Sequence, residues 1–238
     1  MQKEAPRYAI YFAPDPASPL WRFGCDCLGY DASSGYTCDQ FVPRGLDENL
    51  WYDLTEAPRP YGFHATLKAP FYLNAEFSED DLIESVYTFA GRQPTFSIPA
   101  LAIGRLSDFL ALLPPSKHDL LQALSARIVE VFDRFRAPLS VEDIARRNKT
   151  PLSERQKSYL DLWGYPYVFD EFRFHMTLTG ALPESLLDVA QDEMVEFFSR
   201  TVGPVPIAID SIVLARQEYR NGRFRIIERG QFSTPRIS

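Results

Sequence analysis

Histidine, cysteine, methionine and tryptophan each occur only three times in this 238-residue chain, and each scarcity removes a class of explanation. An odd set of thiols, Cys25, Cys27 and Cys38, fits reduced cysteines rather than a disulfide framework. Ser18-Pro19-Leu20 reads as an N-cap followed by proline at the first helical position, and Gly29 as a stop. Cys25 and Cys27 then sit two apart on a helix and diverge. A closed zinc site needs four convergent ligands, so no metal is expected. No apolar run approaches the roughly 20 residues of a membrane span. The first seven residues hold no apolar signal region either, so a cytoplasmic protein without membrane contact is expected. Lys and Arg number 25 against 32 Asp and Glu, a net charge of −7. That balance argues against a surface for long nucleic acid, which relies on cationic neutralisation of phosphates. It leaves room for a small phosphate pocket or a short RNA end. The hydrophobic share of 45% is that of a compact core, not of a disordered chain.

What is present is a repeated phrase. Two of the three histidines stand in Tyr61-Gly-Phe-His64-Ala-Thr66-Leu67 and Phe172-Arg-Phe-His175-Met-Thr177-Leu178. In an extended strand, residues i and i+2 point to one side. His64 and Thr66 therefore share a face, backed by Phe63, Ala65 and Leu67. His175 and Thr177 do the same, backed by Phe174, Met176 and Leu178. The third histidine, His118, opens a polar helix and is expected at the surface.

The two phrases are 111 residues apart, and the same offset sets Phe96, Ile98, Leu101 and Ile103 against Ile207, Ile209, Ile212 and Leu214. A period this long suits two fused, related lobes rather than a solenoid. The pattern predicts lobe one over about residues 1–115 and lobe two over about 116–238, packed as one bilobal domain. Residues 137–170 have no counterpart and form an insertion. Strands are expected at Arg7–Ala13, Thr95–Gly104 and Asp108–Leu113, with an Asn221-Gly222 hairpin near the end. Helices are expected from Ser78 to Ala90, from Pro114 to Phe135, at Ser153–Trp163 and at Glu184–Arg200. The second carries a stripe of Leu120, Leu121, Leu124, Ile128, Val131 and Phe132.

Histidine accepts or donates a proton near neutral pH, because its unperturbed pKa is near 6.5. Two on opposite sides of a scissile bond supply both base and acid. Each threonine offers a hydroxyl to a non-bridging oxygen. The pattern therefore points to in-line attack on a phosphate, with His64, Thr66, His175 and Thr177 as the catalytic set. The His-x-Thr spacing offers no acidic or thiol partner for zinc. Arg173, two before His175, and Lys68, four after His64, are candidate phosphate grips if the strands stay regular. Arg146, Arg147 and Lys149 are a second candidate group for binding a substrate phosphate, far from the reaction, and read equally well as an ordinary basic helix end. Tyr61, Trp163, Tyr165 and Tyr167 are candidates to stack on a base or sugar.

These residues carry a resemblance. His64-Ala-Thr66-Leu and His175-Met-Thr177-Leu resemble the paired motifs of the two-histidine (2H) phosphoesterase superfamily, which includes RNA 2′,3′-cyclic phosphodiesterases and ligases. Tyr61-Gly-Phe-His-Ala-Thr-Leu-Lys-Ala-Pro-Phe71, Arg136-Ala-Pro-Leu-Ser140, Ala145-Arg-Arg147 and Trp163-Gly-Tyr-Pro-Tyr-Val168 resemble one bacterial branch associated with phosphonate metabolism. The resemblance covers most of the chain. It implies an α+β, bilobal, pseudo-twofold fold, with two antiparallel β-sheets lining a central cleft and helices outside. It also implies phosphodiester chemistry without metal or cofactor.

The expectation is a monomeric cyclic phosphodiesterase acting on a small phosphorylated substrate, in the first instance a cyclic ribosyl phosphate. Two alternatives stay open: an RNA-end or nucleotide 2′,3′-cyclic phosphodiesterase or ligase, and a non-catalytic module that binds phosphorylated metabolites.

Overall fold

The computed structural model describes residues 5–140, 143–145 and 151–233. The first strand, β1 (Arg7–Phe12), is buried at all six positions. An aromatic-rich strand covered on both faces must lie inside a sheet, and Pro14, which lacks an N–H, stands just beyond its end. Helix α1 (Pro19–Leu28) follows, capped by the Ser18 hydroxyl, which accepts from Trp21 N, and closed by Gly29. All three thiols are free, with Cys25 and Cys27 in the core. A short α2 (Glu48–Leu54) leads to β2 (Ala65–Tyr72), and α3 (Glu79–Ala90) starts with a Ser78/Asp81 capping box. After β3 (Phe96–Ile98), β4 (Ala102–Leu106) and β5 (Phe109–Leu113) come α4 (Asp119–Phe132) and α5 (Glu154–Trp163). The chain finishes with β6 (Met176–Thr177), α6 (Glu184–Thr201), β7 (Ile207–Ile209), β8 (Ser211–Gln217) and β9 (Phe224–Gln231).

The strands form three antiparallel sheets: β2-β1-β8-β9, β4-β5-β6 and the small pair β3-β7. Helix α3 packs on β8 and β9, α4 on β2, and α6 on β4 and β5. This is the α+β arrangement the motifs implied.

The duplication is visible in one pairing. Strands β3 and β7 are equivalents at the 111 offset, and they pair with each other: Phe96 with Ile209, Ser97 with Ala208, Ile98 with Ile207. Each contact recurs with the roles exchanged, as a local twofold axis between Ser97 and Ala208 requires. The same offset sets β2 against β6 and β4 against β8, and each sheet holds one further strand between its members of these pairs, β1 in one and β5 in the other, with β9 added outside.

Several expectations need correction. The sheets do not divide near residue 115, because the four-stranded sheet takes β8 and β9 from the second half and the three-stranded sheet takes β4 and β5 from the first. A strand buried on both faces needs partners on both edges. The first half gives β1 only β2, and β8 covers the other edge. The strand expected over Thr95–Gly104 is two strands in different sheets, parted at Pro99. The buried stripe of α4 is Leu121, Leu124, Ser125, Ile128, Val129 and Phe132, while Leu120 and Val131 face outward. His118 is half-buried at the start of α4 and stacks on Phe96. The β8–β9 hairpin does form, but across the longer loop 218–223, and Gly222 keeps an ordinary negative φ.

Candidate active site

Each motif histidine sits one residue before a strand, His64 ahead of β2 and His175 ahead of β6. The alternation that the sequence predicts is in place. Phe63, Ala65, Leu67, Phe174, Met176 and Leu178 are all buried. His64, Thr66, His175 and Thr177 stay half-buried on the other side.

The entry to the first motif depends on two close approaches. Gly62 has φ +70°, and a Cβ there would lie 2.5 Å from the Ala32 Cβ. Helix α1 crosses so near that a Cβ on Gly24 would sit 1.9 Å from the Phe63 ring.

This geometry sets the tautomer of both rings. His64 Nδ1 lies 2.9 Å from the Gly62 carbonyl, and His175 Nδ1 lies 2.8 Å from that of Arg173. A carbonyl only accepts, so Nδ1 carries the proton in each ring and the neutral imidazole has its lone pair on Nε2. Thr66 Oγ1 is 3.0 Å from His64 Nε2 and donates to it. Both histidines are thus held in the same way, by the carbonyl two residues upstream.

Between the sheets lies a cleft of about 490 Å³. Arg7, Tyr11, Tyr61, His64 and Thr66 form one wall; Phe109, Thr177, Thr179 and Gly180 form the other, with Tyr165 also contributing. His175 stands beside the cleft, its ring 6.3 Å from that of Phe109. The Tyr11 ring covers His64 at 3.8 Å between centroids. Burial pushes the His64 pKa down to about 4, against the pull of the Gly62 carbonyl, and the nearby charge of His175 lowers it further. His64 is therefore neutral at pH 7, with the Nε2 lone pair accepting from the Thr66 hydroxyl.

The remaining candidates divide. Tyr61 lines the cleft, 6.3 Å from the His64 ring and stacked on Phe224. Lys68 does not reach the cleft. It is 4% exposed, and its Nζ bonds Asp133 at 3.0 Å. The β1–β2 register shifts on either side of Ile10, which breaks the alternation that would have aligned Lys68 with His64. Burial lowers the Lys68 pKa to about 8, opposed by Asp133. Arg173 contributes its backbone carbonyl, and its side chain is exposed. Tyr167 packs edge-on against Tyr165 and is 40% exposed; Tyr165 is the one that lines the cleft. Trp163 packs against Phe169, away from the cleft. Arg146, Arg147 and Lys149 lie outside the described residues.

Sequence reasoning missed Arg7, Tyr11 and Thr179. Thr179 was within reach, because it continues the His175, Thr177 alternation. Its Oγ1 accepts from Leu110 N at 3.0 Å and donates to the Gly180 carbonyl at 2.8 Å, which pins the motif to β5. Among the described residues, no group of three or more His, Cys, Asp or Glu side chains is placed to hold a metal, and no helix is long and apolar enough to cross a membrane.

A family model described as "Protein of unknown function (DUF1045)" matches residues 66–225. The chain belongs to this family. Among curated relatives, this DUF1045 chain is 38% identical over 230 residues to "Ribose 1,5-bisphosphate phosphokinase PhnN" of Janthinobacterium sp. (strain Marseille), covering 95% of this chain and 51% of that protein. A protein of the same name from Laribacter hongkongensis (strain HLHK9) is 37% identical over 178 residues, covering 75% and 41%. The chain thus spans about half the length, or less, of these relatives. Similar solved structures include E. coli LigT complexed with 3′-AMP, at 15% identity and TM-score 0.44, covering 97% of this chain and 100% of LigT. Another, a phosphoesterase, is 16% identical at TM-score 0.42, with 97% of this chain and 100% of that one covered.

Proposed function

We propose that this chain is a phosphoesterase that opens a small cyclic phosphodiester by acid/base catalysis without a metal, using His64 and His175. The supporting observation is the matched anchoring of the two imidazoles, His64 lining the cleft and His175 beside it, each with Nδ1 on a carbonyl and Nε2 uncommitted to the backbone. His64, kept neutral by burial, takes the role of base. Its Nε2 accepts a proton from water as the water oxygen attacks phosphorus. The ring P–O bond opposite breaks, and the His175 imidazolium gives its Nε2 proton to the departing oxygen. One water is consumed, and a phosphate monoester with a free hydroxyl remains. With substrate bound, the Thr66 hydroxyl turns from His64 Nε2 to a non-bridging oxygen and Thr177 donates to the other, where charge grows in the transition state.

A cleft of about 490 Å³ suits a small ligand better than a long RNA. Within that class we place a cyclic ribosyl phosphate of phosphonate breakdown first. The bacterial branch that the motifs resemble supports this choice, as does the ribose bisphosphate in the relatives' name.

The test is ³¹P NMR with ribosyl 1,2-cyclic phosphate, the 2′,3′-cyclic nucleotides and a cyclic-phosphate-ended oligonucleotide, all in EDTA. The expected result is turnover of a small member that both His64→Ala and His175→Ala abolish. Activity lost in EDTA and restored by added metal would contradict the mechanism. Binding without turnover, indifferent to both substitutions, would favour a non-catalytic role.

A further inference from the structure

The cleft wall made by β1 carries two groups that the acid/base chemistry leaves unused. Arg7 and Tyr11 share one face of that strand, four residues and therefore about 13 Å apart along it. Both line the cleft.

Arg7 is only 5% exposed. Its Nε and Nη2 both donate to Gln217 Oε1, Nε at 2.8 Å, while Gln217 Nε2 donates to the Gly222 carbonyl at 2.6 Å. The guanidinium lies 5.7 Å from the centre of the Phe224 ring. Among the described residues no carboxylate pairs with it. A buried cation held by a neutral amide is costly until an anion arrives. Gln217 fixes the edge of the fork, and Nη1 is left with no bond among the described residues.

Tyr11 is 1% exposed, and its hydroxyl has no partner among the described residues. A native buried hydroxyl is almost always satisfied, so an orphan on a residue that lines the cleft calls for a ligand atom or water. The ring lies over His64, and Arg7 is near enough for its positive charge to act on the Tyr11 hydroxyl, so Tyr11 neighbours both the reacting centre and the guanidinium.

We infer that Arg7 and Tyr11 form a second anion subsite, so that the substrate is a cyclic phosphodiester bearing a further phosphate group; this rests on the phosphoesterase reading above. Arg7 grips the second phosphate with its fork, and the Tyr11 hydroxyl donates to the substrate between that phosphate and the ring being opened. Gln217 is a positioning residue that aims Arg7.

The experiment compares kcat/KM for ribosyl 1,2-cyclic phosphate with and without a 5-phosphate, on wild type, Arg7→Gln and Tyr11→Phe, each checked for folding by thermal melting. Wild type should prefer the doubly charged member by about tenfold or more, since a site built around a polar group rejects the analogue lacking it. Arg7→Gln should lose most of that preference, and Tyr11→Phe a smaller part. Equal wild-type rates on the two members would overturn the subsite, as would a folded Arg7→Gln that keeps the preference. If Arg7→Gln does not fold, the wild-type ratio alone decides. If neither member is opened, the phosphoesterase reading fails on its own, and calorimetry with ribose 5-phosphate judges the subsite. Binding weakened about tenfold by Arg7→Gln then supports it; absent binding, or binding indifferent to Arg7, overturns it.

Discussion

The two motif halves hold their histidines alike and surround them differently. Each Nδ1 is fixed by the carbonyl two residues before it. His64, however, leads an eight-residue strand in the four-stranded sheet and lies beneath the Tyr11 ring. His175 leads a two-residue strand at the edge of the three-stranded sheet, with Phe109 at 6.3 Å as its aromatic neighbour. Duplication supplied two equal anchors, and the unequal packing around them keeps the His64 imidazole neutral at pH 7. The strand responsible is β1, which has no equivalent at the 111 offset; its place in the other sheet is filled by β5.

The strongest way to break the comparison is to remove either ring. His64→Ala and His175→Ala should each cost roughly 10²- to 10⁴-fold in kcat, read by ³¹P turnover, because each removes one whole proton transfer. A half that could be deleted without such loss would not be half of a site. Thr66→Val and Thr177→Val should cost less, about 10- to 10³-fold, as single donors to a charged oxygen do. A larger loss from Thr66→Val than from Thr177→Val would sharpen the contrast, since Thr66 also bonds His64 Nε2.

Next comes Tyr11→Leu, which opens one face of His64 and should raise its pKa from about 4 towards the ordinary value, followed by ¹H–¹³C NMR titration of the ring. The same shift has a stability consequence. With its folded pKa lowered, His64 resists a proton that the unfolded chain accepts below 6.5. Stability present above pH 6.5 is therefore lost as pH falls towards 4, and His64→Gln should flatten denaturant midpoints across that window. The smallest effect on catalysis belongs to Lys68→Met. Asp133 keeps Arg136 at 2.8 Å, so the expected loss is about 1–3 kcal/mol of stability, with kcat/KM little changed.

Much of this was legible because it is local. Alternation with a period of two put Phe63, Ala65 and Leu67 inward and His64 and Thr66 outward. Cap residues placed the starts of α1 and α3 at Ser18 and Ser78. What escaped depends on which strands meet. Lys68 was misplaced because the β1–β2 ladder shifts register around Ile10, a matter of pairing rather than of either strand's composition. Arg7 and Tyr11 join the site only because β1 lies beside β2, some 50 residues away along the chain, and no local pattern announces that neighbour. Tyr165 rather than Tyr167 lines the cleft, in the irregular segment just past the left-handed Gly164, φ +71°, that closes α5. Exchange of strands between the sheets was hidden for the same reason: the repeat shows which strands are equivalent, not which are partners.

The most direct test of the account is kcat/KM against pH for the opened cyclic phosphodiester, in chelator, for wild type and the two histidine variants. The account predicts a bell for wild type. Its acid limb, set by the depressed pKa of His64, should be lost in His64→Ala, and its alkaline limb should be lost in His175→Ala. A profile whose limbs survive both substitutions, or one that appears only when a metal is restored, would contradict it.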